Sequence, residues 1–311
     1  MPASTDAPLR DLTVTGARVS PSKMESYEEC GLNWVVSALG GDTVMPPTAG
    51  IGTIVHEAME RVPDGDIERM REIVAERWPE LDFETEWIGR KERRRADLLV
   101  DRLHTYLGDV RGDGGRVIGS EVEFRFAVDV LAPGEDAVPA VHPVVEDRGD
   151  QAIIHGYIDR IEAYPPGAGD HPHARGRGWE RIAGAEAGPT VVVDLKTGKN
   201  DPESDSGVLE HAQLAAYQIA VQQGLVEGAP PDSLAGARLV IVSKTLAKSD
   251  YRIAHQHTLD DEARAAFLRR VSDAARGMSA SSFTAQVESH CADTQRRVHP
   301  CRVHTVPAVS S

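Results

Sequence analysis

Hydrophobic residues recur along this chain at two different spacings, and together they predict helices on both sides of a group of strands. Alternating or continuous apolar runs predict strands over residues 117–130, 153–161, 190–196 and 237–243. Helical spacing predicts helices over residues 20–40, 66–78, 89–108, 209–220 and 260–277. The last of these helices has Thr258 and Asp261 as a start signal. This order of elements predicts an α/β fold in which a central mixed sheet is flanked by helices.

Composition along the chain predicts one folded domain between two tails. Residues 1–18 are mostly polar, residues 19–285 carry the predicted elements, and residues 286–311 contain two of the three cysteines. Residues 132–150 and 165–189 are rich in Gly, Pro and charged residues, so we expect surface loops or hairpin extensions there. A chain of 311 residues can bury one substantial core, or at most two small ones.

The chain is acidic, with a formal net charge of −15. This charge argues against a surface that attracts DNA as a whole, but it permits a local basic track. The run Arg90–Arg95 is a candidate track in which Arg94 and Arg95 would contact DNA; the alternative is a solvated helix face. No apolar run is long enough for a transmembrane helix, and the N-terminus lacks the apolar core of a signal peptide. We therefore expect a cytoplasmic protein without membrane contact.

The most specific local pattern lies at the end of the strand predicted over residues 190–196, where Asp194 and Lys196 follow an apolar run. Side chains alternate along a strand, so these two project from the same side. A buried carboxylate beside an ammonium is costly unless each group has a partner or a task. The pair suits a metal ion next to a group that handles a water and a phosphate, although Asp-x-Lys is also common on ordinary surfaces.

A second acid lies on the strand predicted over residues 153–161. If this strand pairs with the strand over residues 190–196, Asp159 comes near Asp194. The segment between the two strands is long, so the connection is not a tight turn. A simpler interpretation of Asp159 is an ion pair with the adjacent Arg160.

Two predicted helices carry further polar candidates. Thr53 is a plausible N-cap of a helix that has His56 in its first turn. On a later helix, Gln213 and Tyr217 face the same way, one turn apart. The simpler interpretations are a hydrogen-bonded core histidine and a tyrosine that fills the core.

Taken in order, these segments resemble the RecB-like branch of the PD-(D/E)XK nuclease superfamily, and more narrowly the nuclease module of AdnAB/AddAB-type helicase–nucleases. The matching segments are Gly52–His56, Gly156–Arg160, Val192–Lys199 and Gln213–Tyr217. The resemblance implies a restriction-endonuclease-like core with additional N-terminal helices. It also implies a metal-dependent deoxyribonuclease, exonuclease-like and acting on single strands, in recombination or double-strand-break repair. No helicase signature is present in this sequence, so unwinding would come from a partner helicase subunit.

The resemblance also implies a role for each candidate residue. The implied ligands of a Mg²⁺ or Mn²⁺ ion are an imidazole, two carboxylates and a backbone carbonyl, those of His56, Asp159, Asp194 and Leu195. Lys196 would orient a water or stabilise charge on the phosphate. Gln213 and Tyr217 would brace the lysine or the phosphate. Glu121 is a weaker candidate for the same site, and its simpler interpretation is a solvated strand residue or a structural partner.

The cysteine positions resemble a second feature of the family, a [4Fe-4S] cluster held by four cysteines in many RecB-type nucleases. Cys30 precedes the core, and Cys291 and Cys301 follow it. The family spacing would place another cysteine where Thr294 stands, so either a nearby histidine substitutes or the cluster is lost. The alternative interpretation is that these cysteines are free thiols in a reducing compartment.

Two other classes of function are compatible with the sequence. One is a non-catalytic module that binds a DNA end or a protein partner and retains the nuclease fold. The other is a metal-dependent hydrolase with a substrate other than nucleic acid, because a fold does not fix a substrate. The combination of Asp159, Asp194 and Lys196 favours a catalytic protein over the binding module.

Overall fold

The computed structural model describes residues 7–40, 47–145, 148–166, 188–198, 201–246 and 249–285. Within these ranges the strands are β1 (Ala17–Val19), β2 (Arg116–Asp129), β3 (Val141–His142), β4 (Gln151–Ala163), β5 (Thr190–Lys196), β6 (Leu234–Ile241) and β7 (Arg252–Gln256). The α-helices are α1 (Pro21–Glu29), α2 (Gly31–Ala38), α3 (Pro47–Arg61), α4 (Ile67–Arg77), α5 (Glu86–Gly112), α6 (Ala212–Gln222) and α7 (Asp261–Met278).

The strands form one mixed, seven-stranded sheet. Its order is β3–β2–β4–β5–β6–β7, and β1 pairs with β4. The β4–β5 and β6–β7 pairs are antiparallel, whereas β1–β4 and β5–β6 are parallel. The prediction of an α/β fold with a central mixed sheet is therefore confirmed, and so is the pairing of the strand that carries Asp159 with the strand that carries Asp194.

The helix predicted over residues 20–40 is in fact two helices, because Cys30 interrupts it. Cys30 has an extended backbone, with φ −164° and ψ 105°, and it both ends α1 and precedes α2. Its Sγ accepts a long hydrogen bond from the N–H of Asn33, at 3.5 Å. The start of α1 agrees with the predicted start at residue 20, since Ser20 accepts a hydrogen bond from the N–H of Lys23 and a proline occupies the first turn.

The helix that carries His56 begins earlier than the sequence predicts. α3 starts at Pro47, so Thr53 lies inside the helix rather than at its N-cap. The hydroxyl of Thr53 donates to the carbonyl of Ala49, one turn earlier, at 3.5 Å. A threonine hydroxyl can hydrogen-bond the backbone at the N-cap of a helix or inside it, so the residue type alone does not distinguish the two positions. His56 consequently lies in the middle of α3 rather than in its first turn.

Two further differences concern the C-terminal third of the chain. The predicted start signal at Thr258 is wrong, because Asp260 caps α7 by accepting a hydrogen bond from the N–H of Ala263 at 2.9 Å. The sequence did not predict β7, whose residues mix polar and apolar types but pair along the whole strand with the buried β6.

Most of the loop predicted over residues 165–189, and the tail from residue 286 onward, lie outside the described residues.

The chain divides into two compact units. One comprises Met1–Thr43, Arg125–Gly156 and Asp260–Ser311, and the other comprises Val44–Phe124 and Tyr157–Leu259. In the first unit β1 pairs in parallel with the start of β4. Because β1 begins at Ala17, the sheet includes the last residues of the segment expected to be a polar tail.

The second unit has a large apolar core on one face of β5. This face carries Val191, Val193 and Leu195, which are buried with apolar residues of α3, α4 and α5. Because side chains alternate along a strand, the other face of β5 carries Val192, Asp194 and Lys196. α6 packs against β5 and β6. Over the described ranges, no helix combines the length and the apolar character needed to cross a membrane.

Candidate active site

Adjacent strands of the second unit place two acids side by side. β4 and β5 pair with Arg160 opposite Val193, and the next position of this antiparallel register sets Asp159 beside Asp194. The N–H of Leu195 donates to Asp159 Oδ2 at 2.8 Å, which joins the two strands at this point. Only 7% of Asp159 and 1% of Asp194 are exposed. Two carboxylates at this depth are costly without positive partners.

His56 of α3 and Glu121 of β2 complete a group around Asp159. His56 Nδ1 lies 3.4 Å from Asp159 Oδ2. One potential ligand atom from each of the three residues lies within 4.8 Å of the other two. Asp194 is not a member of this group. The group therefore contains an imidazole and two carboxylates, and one of the carboxylates is Glu121.

Glu121 has an unusual backbone conformation for a strand residue. Its φ is 49°, in the left-handed region that residues other than glycine seldom adopt. Such a conformation costs free energy and persists where the surrounding structure requires it, which is most often at a functional site. It also interrupts the regular alternation of β2. The direction of the Glu121 side chain therefore does not follow from the apolar pattern of Phe124 and its neighbours.

Asp194 belongs to a closed ring of four side chains. Lys196 Nζ lies 2.8 Å from Asp194 Oδ2 and donates to Gln213 Oε1 at 3.0 Å. Gln213 Nε2 donates to the Tyr217 hydroxyl at 2.7 Å, and that hydroxyl makes a long hydrogen bond of 3.4 Å to Asp194 Oδ1. The strand supplies the charged pair and α6 supplies the amide and the phenol. The ring fixes the position of the lysine ammonium.

The acids of the site are under-compensated. Burial, reinforced by the charge of Asp194, raises the pKa of Asp159 well above its usual value, even though the hydrogen bond from Leu195 and the charge of Lys196 act in the opposite direction. Burial also raises the pKa of Glu121, and the nearby charges of Glu60 and Asp194 add to this shift. Carboxylates in this condition favour the arrival of a cation.

Lys196 and His56, the basic groups of the site, each have one main protonation state at neutral pH. Burial alone would lower the pKa of Lys196, but the Asp194 carboxylate beside it raises the pKa above its usual value, so Lys196 is an ammonium at neutral pH. Burial lowers the pKa of His56, and Lys196 lowers it further, although Asp194 and a backbone hydrogen bond with Leu195 oppose the shift. His56 is therefore mainly the neutral imidazole, the form that binds metals.

The backbone after β5 is held close to α3 and α5. A group that raises the pKa of an imidazole by hydrogen bonding must accept its N–H. The backbone hydrogen bond between His56 and Leu195 raises the pKa of His56, so it is the Leu195 carbonyl that accepts. A Cβ added to Gly52 would lie only 2.8 Å from the Thr197 hydroxyl, so glycine permits this approach. Arg95 donates to the Thr197 carbonyl at 3.2 Å.

The structure brings the predicted site residues together from four elements. These residues are His56, Asp159, Asp194, Leu195, Lys196, Gln213 and Tyr217. Of the predicted DNA contacts, Arg94 is exposed, whereas Arg95 is half-buried and held by Thr197 and Glu92. Cys30 is buried and free, and the other two cysteines lie outside the described residues.

Glu121 is the residue whose importance the sequence understated. A sequence signal existed, because Glu121 lies in a clearly predicted strand that could neighbour the strand of Asp159. The opposing signal was alternation, which grouped Glu121 with the solvent-facing Glu123. Glu121 has a left-handed backbone, which regular strand alternation does not include. No local pattern in the sequence reports it.

The residues present fit a hard divalent cation. The group of His56, Glu121 and Asp159 supplies one nitrogen and carboxylate oxygens within a small volume. Carboxylate oxygens suit Mg²⁺ and Mn²⁺, and Mn²⁺ also accepts an imidazole. The raised pKa values of Glu121 and Asp159 also favour a cation at this place, because a bound cation would supply the positive charge that the protein does not.

Comparison with known protein families gives one match. The model of the PD-(D/E)XK nuclease superfamily matches residues 18–171 and 181–304, which together cover most of the chain and include every residue of the site. No curated protein matches the chain.

Proposed function

Because this chain belongs to the PD-(D/E)XK nuclease superfamily, we propose that it is a metal-dependent nuclease that hydrolyses phosphodiester bonds in DNA. The observation that carries the proposal is the group of His56, Glu121 and Asp159 next to the Asp194–Lys196 pair. Hydrolysis of a phosphodiester requires an activated water and neutralisation of charge on the phosphate. The site offers ligands for a cation and a fixed ammonium for these two needs.

We propose that four groups hold the cation: the side chains of His56, Glu121 and Asp159 and the carbonyl of Leu195. Asp194 is shared between the cation and Lys196. When bound, Mg²⁺ or Mn²⁺ lowers the pKa of a water and draws charge from phosphate oxygens. His56 acts as a neutral nitrogen donor, consistent with the burial that lowers its pKa. The carboxylates contribute negative oxygens that have few other partners.

Lys196 keeps its proton and acts through its charge. Its pKa is raised by Asp194, so it is not a base that removes a proton from water at neutral pH. Its ammonium is instead placed to orient a water and to stabilise the negative charge that grows on the phosphate. Gln213 and Tyr217 are positioning residues, since one accepts a hydrogen bond from the ammonium and the other joins Gln213 to Asp194.

The same geometry supports catalysis over simple binding. A module that only bound DNA or a protein would gain nothing from Asp159, a buried acid whose raised pKa makes the fold less stable at neutral pH. Nor would it need an ammonium held by a ring of side chains. Buried ionisable groups with shifted pKa values are typical of catalytic sites.

The finer assignment rests on the resemblance in sequence. We propose a RecB-like domain over residues 19–285 that acts as an exonuclease on single strands, in recombination or double-strand-break repair in the cytoplasm, alongside a helicase subunit. The net charge of −15 supports a division of labour in which the partner captures DNA. Arg94, which is exposed on α5, is the proposed local DNA contact. A [4Fe-4S] cluster on Cys30, Cys291 and Cys301 remains a prediction.

Degradation of labelled single-stranded and duplex DNA tests the proposal. The wild-type protein should degrade DNA with Mg²⁺ or Mn²⁺ and not with EDTA. Asp194→Ala and Lys196→Ala should each reduce kcat by about 10²–10³-fold or more, the usual effect of removing a group that stabilises a transition state. Lys196→Ala should keep its Mn²⁺ affinity, measured by calorimetry, because lysine is not a ligand.

A matched control is Lys23→Ala, which removes an exposed lysine of α1 in the other unit and should leave activity unchanged. Equal cleavage by the wild type, Asp194→Ala and Lys196→Ala would refute the assignment of this site. Loss of Mn²⁺ affinity in Lys196→Ala would contradict the division between metal ligands and the fixed ammonium.

A further inference from the structure

Tyr157 stands next to the candidate active site with a largely exposed side chain. It lies in β4, two residues before Asp159, and 54% of its surface is exposed. The next two residues of the strand, Ile158 and Asp159, are buried. Tyr157 is the one exposed residue of β4, and the buried part of the strand that carries the site begins directly after it.

Strand geometry gives the direction and reach of this side chain. Residues two apart in a strand project from the same face, so Tyr157 and Asp159 share a face of the sheet. Their separation along the strand is about 6.6 Å, from the usual rise of a strand. A phosphate placed at Asp159 would thus have its attached nucleoside within reach of the Tyr157 ring.

An exposed aromatic ring at this position has a chemical partner in a nucleobase. Bases stack on aromatic side chains, and this contact tolerates any sequence because every base has a π-face. A base inside a duplex already stacks on its neighbours, whereas an unpaired base has a free face. The contact would therefore distinguish single strands from duplexes without reading sequence.

We infer that Tyr157 is a stacking residue for the base of a nucleotide that adjoins the scissile phosphate, and that it favours single-stranded DNA. The inference rests on the proposed function and assigns a residue to its preference for single strands. Tyr157 positions the strand and takes no part in the chemistry, which belongs to the residues around Asp159. The phenol hydroxyl is not needed for stacking, so the ring alone should suffice.

The test combines two variants with two oligonucleotides in the full chain. Tyr157→Leu keeps apolar volume but removes the ring, and Tyr157→Phe keeps the ring. The oligonucleotides are oligothymidine and an oligomer of the same length made of abasic sugar-phosphate units, so both carry the same backbone charge. Binding is measured by fluorescence anisotropy with Ca²⁺, and cleavage is measured separately with Mg²⁺.

We expect Tyr157→Leu to bind oligothymidine about ten-fold more weakly than the wild type, the usual contribution of one base–aromatic stack. Tyr157→Phe should remain within about two-fold of the wild type. On the abasic oligomer all three proteins should bind alike. Mn²⁺ affinity and the circular dichroism spectrum should be unchanged in Tyr157→Leu, which shows that the site is intact.

The outcomes separate this inference from the proposed function. If the wild type cleaves DNA but Tyr157→Leu binds and cleaves oligothymidine equally well, the stacking residue is refuted and the nuclease stands. An equal loss on the abasic oligomer also refutes stacking. If binding depends on both Tyr157 and the base but no protein cleaves DNA, the stacking contact stands and the nuclease proposal falls.

Discussion

Two consecutive residues of β4, Asp159 and Arg160, project to opposite faces of the sheet and belong to two sets of buried charges with opposite properties. Asp159 faces the candidate active site, where acids outnumber basic groups. Arg160 faces the apolar core of the second unit and pairs with Glu162. Asp159 and Arg160 lie on the same strand and are both buried, so burial alone does not explain the difference between their surroundings.

The second set is compensated around one carboxylate. Glu162 Oε1 accepts hydrogen bonds from Arg160 Nε at 2.8 Å and from the Tyr106 hydroxyl at 2.9 Å. Its other oxygen accepts from the Tyr164 hydroxyl at 2.9 Å and from Arg238. The Arg238 guanidinium also lies 5.6 Å from the ring centres of both tyrosines. We call Arg160, Glu162, Arg238 and the two tyrosines the β4 ion network.

The difference appears in the pKa values of the two acids. Burial would raise the pKa of Glu162, but Arg238 and Arg160 more than offset this effect and lower it below its usual value. Burial raises the pKa of Asp159, and Asp194 adds to the shift. A buried acid with its full set of partners is a structural element, whereas a buried acid that lacks them is suited to accept a cation. Missing compensation, rather than burial, therefore distinguishes the candidate active site from the β4 ion network.

The largest predicted effect lies in the β4 ion network. Glu162→Gln removes the anion between two buried guanidinium groups, and we expect a loss of about 3–5 kcal/mol in the free energy of unfolding. Urea denaturation in EDTA measures this quantity. Tyr106→Phe is a matched control, since it removes one hydrogen bond to Glu162 and should cost only about 1 kcal/mol.

The Glu162→Gln variant also separates stability from metal binding. In Glu162→Gln the Mn²⁺ affinity of the folded protein should be unchanged, since the network lies on the opposite face from the site. A loss below about 1 kcal/mol would mean that the network is not a structural centre of the fold.

The second prediction concerns Glu121, which the structure adds to the site. Glu121→Gln removes one carboxylate from the group around Asp159 and should weaken Mn²⁺ binding by at least about 10-fold, equivalent to about 1.4 kcal/mol. Calorimetry at constant pH measures the change. Glu123→Gln makes the same chemical change two residues away on the exposed part of β2 and should leave affinity intact. Equal effects of both variants would indicate a general charge effect and remove Glu121 from the ligand set.

The sequence was sufficient to predict the parts of the site that depend on strand geometry. Alternation put Asp194 and Lys196 on one face of β5, and an antiparallel pairing of two strands put Asp159 beside them. These relations need only local periodicity and one pairing. The contribution of Gln213 and Tyr217 from one face of α6 follows from helical spacing in the same way.

Features that depend on three-dimensional contacts could not be predicted. The left-handed backbone of Glu121 and the extended backbone of Cys30 have no counterpart in periodicity. β7 mixes polar and apolar residues and owes its existence to pairing with β6. The β4 ion network was invisible for a similar reason, because Arg160 and Arg238 are types that sequence analysis places on the surface. Their burial depends on Glu162, which joins Arg160 to an arginine that lies far away in sequence on another strand.

The third prediction is a change in stability with the opposite sign to that of Glu162→Gln. Asp159→Asn removes an acid that is buried without sufficient compensation, so in EDTA at pH 7 we expect the protein to become more stable by about 1–2 kcal/mol while losing nuclease activity. The pH dependence follows from linkage. The folded-state pKa of Asp159 is raised, so the wild type carries no penalty below the unfolded-state pKa of about 4. Stability is then lost as the pH rises towards the folded-state value.

Urea unfolding of the wild type and Asp159→Asn from pH 4 to 8 therefore tests whether the buried Asp159 lacks compensation. In EDTA the advantage of the variant should be absent near pH 4 and should grow as the pH rises. Saturating Mn²⁺ should reverse the difference at pH 7, because a ligand at 100 times its Kd stabilises the wild type by about 2.7 kcal/mol and the variant has lost a ligand. A variant that is less stable than the wild type in EDTA at pH 7 would show that Asp159 is compensated like Glu162. The contrast between the two faces of β4 would then disappear.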